Sequence, residues 1–263
     1  MKIKIYQVDA FTDKLFGGNP AAVCPLKEWL SDDLLQNIAM ENNLSETAFY
    51  VRNGSHYQIR WFTPTVEVDL CGHATFAAAF VLFHHEGHSG DEIQFLSPRS
   101  GELRVTRNED QLTLNFPADH IEPVELTQDI LNGFDIKPQT AFKGQSDILL
   151  IFNNEEEIRK VKPNFTEIAK LNARGVIVTA KGNDVDFVSR FFGPQVGVDE
   201  DPVTGSAHTT LTPYWSKTLN KNKLSARQLS KRGGVLHCEL CGDRVDISGQ
   251  GKLFMSGEIH ISG

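Results

Sequence analysis

Two short turns of small and polar residues, Cys71-Gly72-His73-Ala74 and Thr204-Gly205-Ser206-Ala207, stand before helix-like stretches. Glycine lets a ligand approach the backbone closely, and the first-turn amides of a helix are donors without intrahelical partners. Such a helix start can hold an anion without net positive charge, so a substrate carboxylate is its natural guest. Taken singly, either turn also reads as an ordinary helix start, capped in the second case by Asp201, Thr204 or Ser206. Glu46 is the other chemical candidate. Its neighbours Leu44, Ala48, Phe49 and Tyr50 are mostly apolar. Apolar surroundings favour a neutral carboxylic acid, which suits a group that takes a proton and later returns it. The alternative is a strand-end glutamate facing water.

What favours a site is an internal duplication. Residues 45–69 (SETAFYVRNGSHYQIRWFTPTVEVD) and 175–199 (GVIVTAKGNDVDFVSRFFGPQVGVD) align without a gap at an offset of 130. Identities fall at Arg60/Arg190, Phe62/Phe192, Pro64/Pro194, Val66/Val196, Val68/Val198 and Asp69/Asp199. The two glycine turns align only at an offset of 133, so the second copy has gained three residues near Glu200-Asp201-Pro202. A duplicated fold offers a cleft at its seam, with two equivalent helix starts available to face it. Glu46 breaks the symmetry, because the ungapped alignment sets it opposite Val176.

Each copy carries the same elements. A helix is predicted over 31–42 with Ser31 as N-cap, and its counterpart over about 166–173 with Thr166 or a neighbour as cap. Each block then reads as two strands joined by a Gly/Asn turn, followed by a further helix. The stretch 73–85 is apolar nearly all round and must be buried on most sides, as a helix wrapped by strands is. Its counterpart carries Pro213, which predicts a kink or register change. The expected fold is α+β: two similar half-barrels, each a mixed sheet around a central helix, spanning 1–117 and 118–263, with the last strand free to cross to the first half.

Composition narrows the partners. Among 263 residues, 34 acidic against 26 basic side chains give a net charge of −8. Such a chain repels phosphate backbones, so no nucleic-acid partner is expected. The N-terminus alternates as a strand does rather than running apolar like a signal peptide, and 74–83 is too short to span a bilayer. No membrane partner and a cytoplasmic location are therefore expected.

The stretches QVDAFTDKLFGGNPAAV (7–23), NLSETAFYV (43–51), FTPTVEVDLCGHAT (62–75) and VDEDPVTGSAH (198–208) together resemble the phenazine-biosynthesis PhzF-like family. The resemblance implies a fold similar to diaminopimelate epimerase and an isomerase that needs no metal, flavin or nicotinamide. By that resemblance Glu46 is the proton-transferring group, and His73, Asp201 and Ser206 are polar residues of the active site. Asn19, Cys71, Gly72, Thr204 and Gly205 would position a small carboxylate substrate. A homodimer is a further expectation from the resemblance. Segment 227–240 (RQLSKRGGVLHCEL) departs from the phenazine enzyme's pattern and points to another substrate.

Other chemistries fit less well. Two-thiol racemases of the related fold use one cysteine per helix start, whereas here Thr204 stands opposite Cys71. A one-thiol dehydratase or lyase using Cys71 and a non-catalytic binding protein remain as alternatives. Cys238-x-x-Cys241 with His237 lacks a second ligand pair, and on a strand residues three apart face opposite sides, so no metal is expected there. His84-His85-Glu86-Gly87-His88 misses the zinc-peptidase spacing, and Gly249-x-Gly251 lacks the third glycine of a dinucleotide fingerprint.

Overall fold

The computed structural model describes residues 1–261, which divide into two compact units, Met1–Asn115 with the chain from Ser248 on, and Phe116–Ile247. The first begins β1 (Lys2–Ala10), β2 (Asn19–Leu26), α1 (Asp32–Asn42), β3 (Glu46–Asn53), β4 (His56–Phe62) and β5 (Glu67–Val68). It continues with α2 (Gly72–His84), β6 (Glu92–Ser97), β7 (Gly101–Asn108) and β8 (Gln111–Pro117), where the second unit starts. That unit holds β9 (Glu122–Val124), α3 (Gln128–Asn132), β10 (Thr140–Lys143), β11 (Asp147–Ile151), α4 (Glu155–Lys160) and α5 (Phe165–Ile168). It ends with β12 (Gly175–Lys181), β13 (Phe187–Phe192), α6 (Ala207–Leu219), β14 (Lys223–Gln228), β15 (Gly234–Cys241) and β16 (Arg244–Gly249). The final strand, β17 (Gly251–His260), pairs antiparallel along β1 from Lys2↔His260 to Ala10↔Gly251. Residues after 247 therefore leave the 118–263 half assigned from sequence and complete the first unit.

The duplication is written into the strand pairings. In the first unit β2 runs parallel to β3, β3 antiparallel to β4, β4 parallel to β6, and β6 antiparallel to β7. In the second, β11–β12, β12–β13, β13–β14 and β14–β15 repeat that order of directions. Even side-chain pairs recur. Arg60 forks onto Glu67 at 2.7 and 2.9 Å and lies over the Phe62 ring; Arg190 forks onto Glu200 at 2.7 and 3.0 Å and lies over Phe192.

Register corrects one detail of the sequence alignment. Arg60 pairs with Phe49, whereas Arg190 pairs with Val178, so the two hairpins differ by one residue. The strand position equivalent to Glu46 is therefore Gly175, not Val176. A Cβ on Gly175 would lie 2.4 Å from Phe191 Cζ, so packing there excludes any side chain.

Helix α2 needs no polar face. Ten of its residues, from His73 to Phe83 with Phe80 excepted, are buried. Its alanines favour the helix and let β1, β2 and β3 approach closely. Each large apolar side chain so removed from water stabilises the unit by roughly 1.5–3 kcal/mol. Helix α6 tolerates Pro213 for a specific reason. Proline cannot donate to the Thr209 carbonyl one turn back, and the Asp119 amide takes that acceptor at 3.1 Å. The helix predicted over 166–173 shrinks to Phe165–Ile168, with Asn164 rather than Thr166 as the cap, because the chain must straighten to enter β12 at Gly175. Ser31 precedes α1 as expected, but its hydroxyl makes no capping bond.

Candidate active site

In the first unit four predicted residues converge from three elements. Gly18 sits at φ +63°, where a Cβ would lie 2.1 Å from the Ala10 carbonyl oxygen; only glycine lets the chain turn so tightly and bring Asn19 beside Ala10. Asn19 opens β2 fully buried. Glu46 opens β3, paired with Ala21 of β2. Cys71 is the extended residue before α2, and His73 lies in the helix's first turn.

His73 Nε2 is 3.2 Å from Glu46 Oε2. Both atoms are buried, and neither has another hydrogen-bond partner among the described residues. On the other ring nitrogen, Nδ1 is 3.3 Å from Asn19 Nδ2 and 3.5 Å from Cys71 Sγ. The Glu46 side chain is 17 % exposed, against 7 % for that of His73, so Glu46 is the more accessible residue of the pair.

Burial alone would push the His73 pKa down, but Cys71 and Glu46 beside it outweigh this and hold it well above 6.5. Cys71 itself is pushed up by burial and by the Glu46 charge, with His73 opposing. A thiol held up in this way is neutral near pH 7, which leaves Glu46 as the partner that faces the ring's Nε2. The arrangement gives a carboxylate with a buried proton-bearing neighbour, suited to proton transfer at one face of a bound molecule.

The second unit arranges the other predicted residues by itself. Thr204 Oγ1 donates to Asp201 Oδ2 at 2.5 Å. Ser206 occupies the N-cap position of α6, where its hydroxyl accepts from Arg174 Nη1 at 3.0 Å instead of capping the helix. Gly205 is buried beside it, and Gly72 in the first unit is the first residue of α2.

Two residues that hold this turn escaped the sequence analysis. Gln228 accepts from the Thr204 amide at 2.9 Å and donates to the Asp201 carbonyl at 2.8 Å. Arg174 forks onto Asp147 while reaching Ser206. Gln228 lies within the segment that departs from the phenazine enzyme's pattern, which was the available signal. Arg174 carried none, since a basic residue before a glycine usually reads as loop surface. The thiols of Cys238-x-x-Cys241 do separate across β15, one buried and one exposed. No helix among the described residues is long and apolar enough to cross a membrane.

Known proteins resemble this chain along nearly its whole length. Residues 8–257 match the family model described as phenazine biosynthesis-like protein. A Pseudomonas aeruginosa protein named as an uncharacterized isomerase is 51% identical over 262 residues, covering 100% of both chains. A crystal structure of a PhzF-family phenazine biosynthesis protein from Enterococcus faecalis superposes with a TM-score of 0.97 at 47% identity, covering 99% of this chain and 100% of that one. A hydroxyproline epimerase from Agrobacterium vitis shares the fold at a TM-score of 0.60 and 9% identity, covering 98% of this chain and 92% of that one.

Proposed function

This chain belongs to the phenazine biosynthesis-like family, and from that premise we propose that it is a cofactor-independent isomerase moving a proton between carbons of a small carboxylate-bearing, cyclic or conjugated substrate. The observation that carries the reading is the 3.2 Å approach of the Glu46 carboxylate to a buried His73.

Glu46 takes a proton from an activated C–H and becomes a carboxylic acid, while the C–H electron pair enters the substrate's conjugated system. The same group then returns the proton to another carbon, so no net charge or electron is gained. His73 steadies the carboxylate before transfer and releases it as the charge disappears. Asp201 and Ser206 belong to the proposed set as polar partners of substrate groups, and the amides at Gly72 and Gly205 as donors to a carboxylate.

A positioned carboxylate base contributes about 10²–10⁴ in rate. The test is deuterium incorporation from D2O into 2,5-cyclohexadiene-1-carboxylate and related unsaturated acids, followed by NMR, with wild type and Glu46→Gln. Glu46→Gln preserves shape and removes the transferable proton. Exchange at the wild-type rate in that variant would end the proposal. The thiol alternative is disfavoured by Cys71 itself: a nucleophile needs thiolate, and burial with the adjacent Glu46 opposes it.

A further inference from the structure

We propose that the pocket at the C-terminal end of α2, in the first unit, is a second binding site that takes an aromatic carboxylate bearing a ring hydroxyl. A cavity of about 520 Å³ opens there between β1, β2, β3, β4 and the last turn of α2. Ile3, Pro25, Leu26, Leu30 and Leu82 wall it, together with the Tyr50 and Tyr57 rings, which meet edge to face at 5.6 Å between centroids. Apolar walls with a few convergent polar groups are the general make-up of a small-molecule pocket. Tyr50 supplies the first polar group. It is 4 % exposed, and its buried hydroxyl has no hydrogen-bond partner among the described residues. Leaving such a group unmet is costly, and a ligand oxygen that accepts from it removes the cost. Burial, then the nearby Glu86 charge, hold the Tyr50 pKa far above the usual tyrosine value, so the hydroxyl is a donor at neutral pH.

Charge selects the rest of the ligand. Four basic side chains, Lys2, Lys4, Lys27 and Arg52, line the pocket against two acidic ones, Glu28 and Glu86. On a chain of net charge −8, this local positive excess draws an anion. Lys2 is paired with Glu258 at 2.8 Å and Lys4 with Glu86 at 2.9 Å. Lys27 and Arg52, both exposed, are left without an ion-pair partner among the described residues. The ligand carboxylate therefore belongs at the rim with Lys27 and Arg52, and its ring against the leucines. At the inner end the ring hydroxyl accepts from Tyr50 and donates to Glu86, whose Oε1 already accepts from Tyr6 at 2.6 Å and Lys4 at 2.9 Å. Leu82 lies roughly 14 Å along the α2 axis from His73. The pocket thus shares no residue with Glu46, Cys71 and His73, and it does not rest on the isomerase reading.

The test titrates the full chain with 4-hydroxybenzoate and, separately, with benzoate, following backbone amide shifts by NMR. Saturable shifts are expected at residues 26–30 and around Arg52, with 4-hydroxybenzoate bound more tightly than benzoate. Tyr50→Phe removes only the unmet hydroxyl, so the fold is expected to survive it. That variant should weaken 4-hydroxybenzoate about three- to tenfold and leave benzoate unchanged. Lys27→Ala combined with Arg52→Ala should weaken both probes at least about tenfold. Glu46→Gln should alter neither, which separates this pocket from the proton-transferring group. No saturable binding, shifts confined to residues 71–75, or a Tyr50→Phe variant that treats the two probes alike would each overturn the proposal. Deuterium exchange decides the isomerase reading independently of these titrations.

Discussion

Asn19 Nδ2 lies 3.3 Å from His73 Nδ1. An amide nitrogen only donates, so this amide orientation suits a singly protonated ring with its proton on Nε2, facing Glu46. Turning the amide over would present its oxygen to a doubly protonated ring, so Asn19 can accompany either state of His73. Asn19 is thus a positioning residue, acting on Glu46 through the imidazole.

Replacing Asn19 with Ala should let the ring swing and cut turnover by as much as ~100-fold, with a smaller change in substrate binding. Comparing kcat with KM, together with 15N shifts of the His73 ring, checks this. An unchanged ring tautomer with an unchanged kcat would contradict it.

Native cysteine reactivity should be confined to one position. Cys24, Cys71 and Cys238 are buried and Cys241 is exposed. Burial raises the thiols of Cys24 and Cys71, and that of Cys238 to about 12. Iodoacetamide at pH 8 should therefore label Cys241 first, and the singly labelled protein should keep its exchange activity. Peptide mass spectrometry reads the order; rapid labelling of Cys71 would revive the thiol mechanism.

The recurrent arginine fork should carry stability in both units. Besides Glu200, Arg190 donates to the Ile158 and Val161 carbonyls at 3.1 and 2.8 Å, with 13 % of its side chain exposed. Arg190→Ala leaves three acceptors unpaired and should cost roughly 2–4 kcal/mol in urea denaturation. Arg190→Lys should recover only part of this, because an ammonium lacks the planar fork. A lysine variant as stable as wild type would show that charge alone suffices.

Acid sensitivity should trace in part to His208. Its Nδ1 faces the Thr204 carbonyl at 2.9 Å, Nε2 is buried without a hydrogen-bond partner among the described residues, and burial lowers its pKa to about 4. Below pH ~6.5 the unfolded chain binds this proton and the folded chain does not. Stability therefore falls as pH drops from ~6.5 to ~4 and levels off below, a loss of roughly 3 kcal/mol from this group. His208→Leu loses the hydrogen bond at every pH but should flatten that slope. Urea midpoints at pH 7 and pH 4.5 measure it, and an unaltered slope would assign the acid loss elsewhere.

The repeat, the two glycine turns and the alternating strands were legible because they are local: helix and strand periods, and identities between two stretches of one chain, need no contact map. Glu46 stood out because it breaks the repeat, whereas its role and that of His73 came from the family resemblance. Their meeting was not legible, since 3.2 Å between residues on different elements depends on how β3 and α2 pack. The equivalence of Glu46 with Gly175 also waited on the structure, because strand register is decided by cross-strand hydrogen bonds and by the Phe191 ring beside Gly175, which leave no trace in spacing. Arg174 and Gln228 follow the same rule. Each reaches the second glycine turn from more than twenty residues away in sequence, and only the packed chain brings them there.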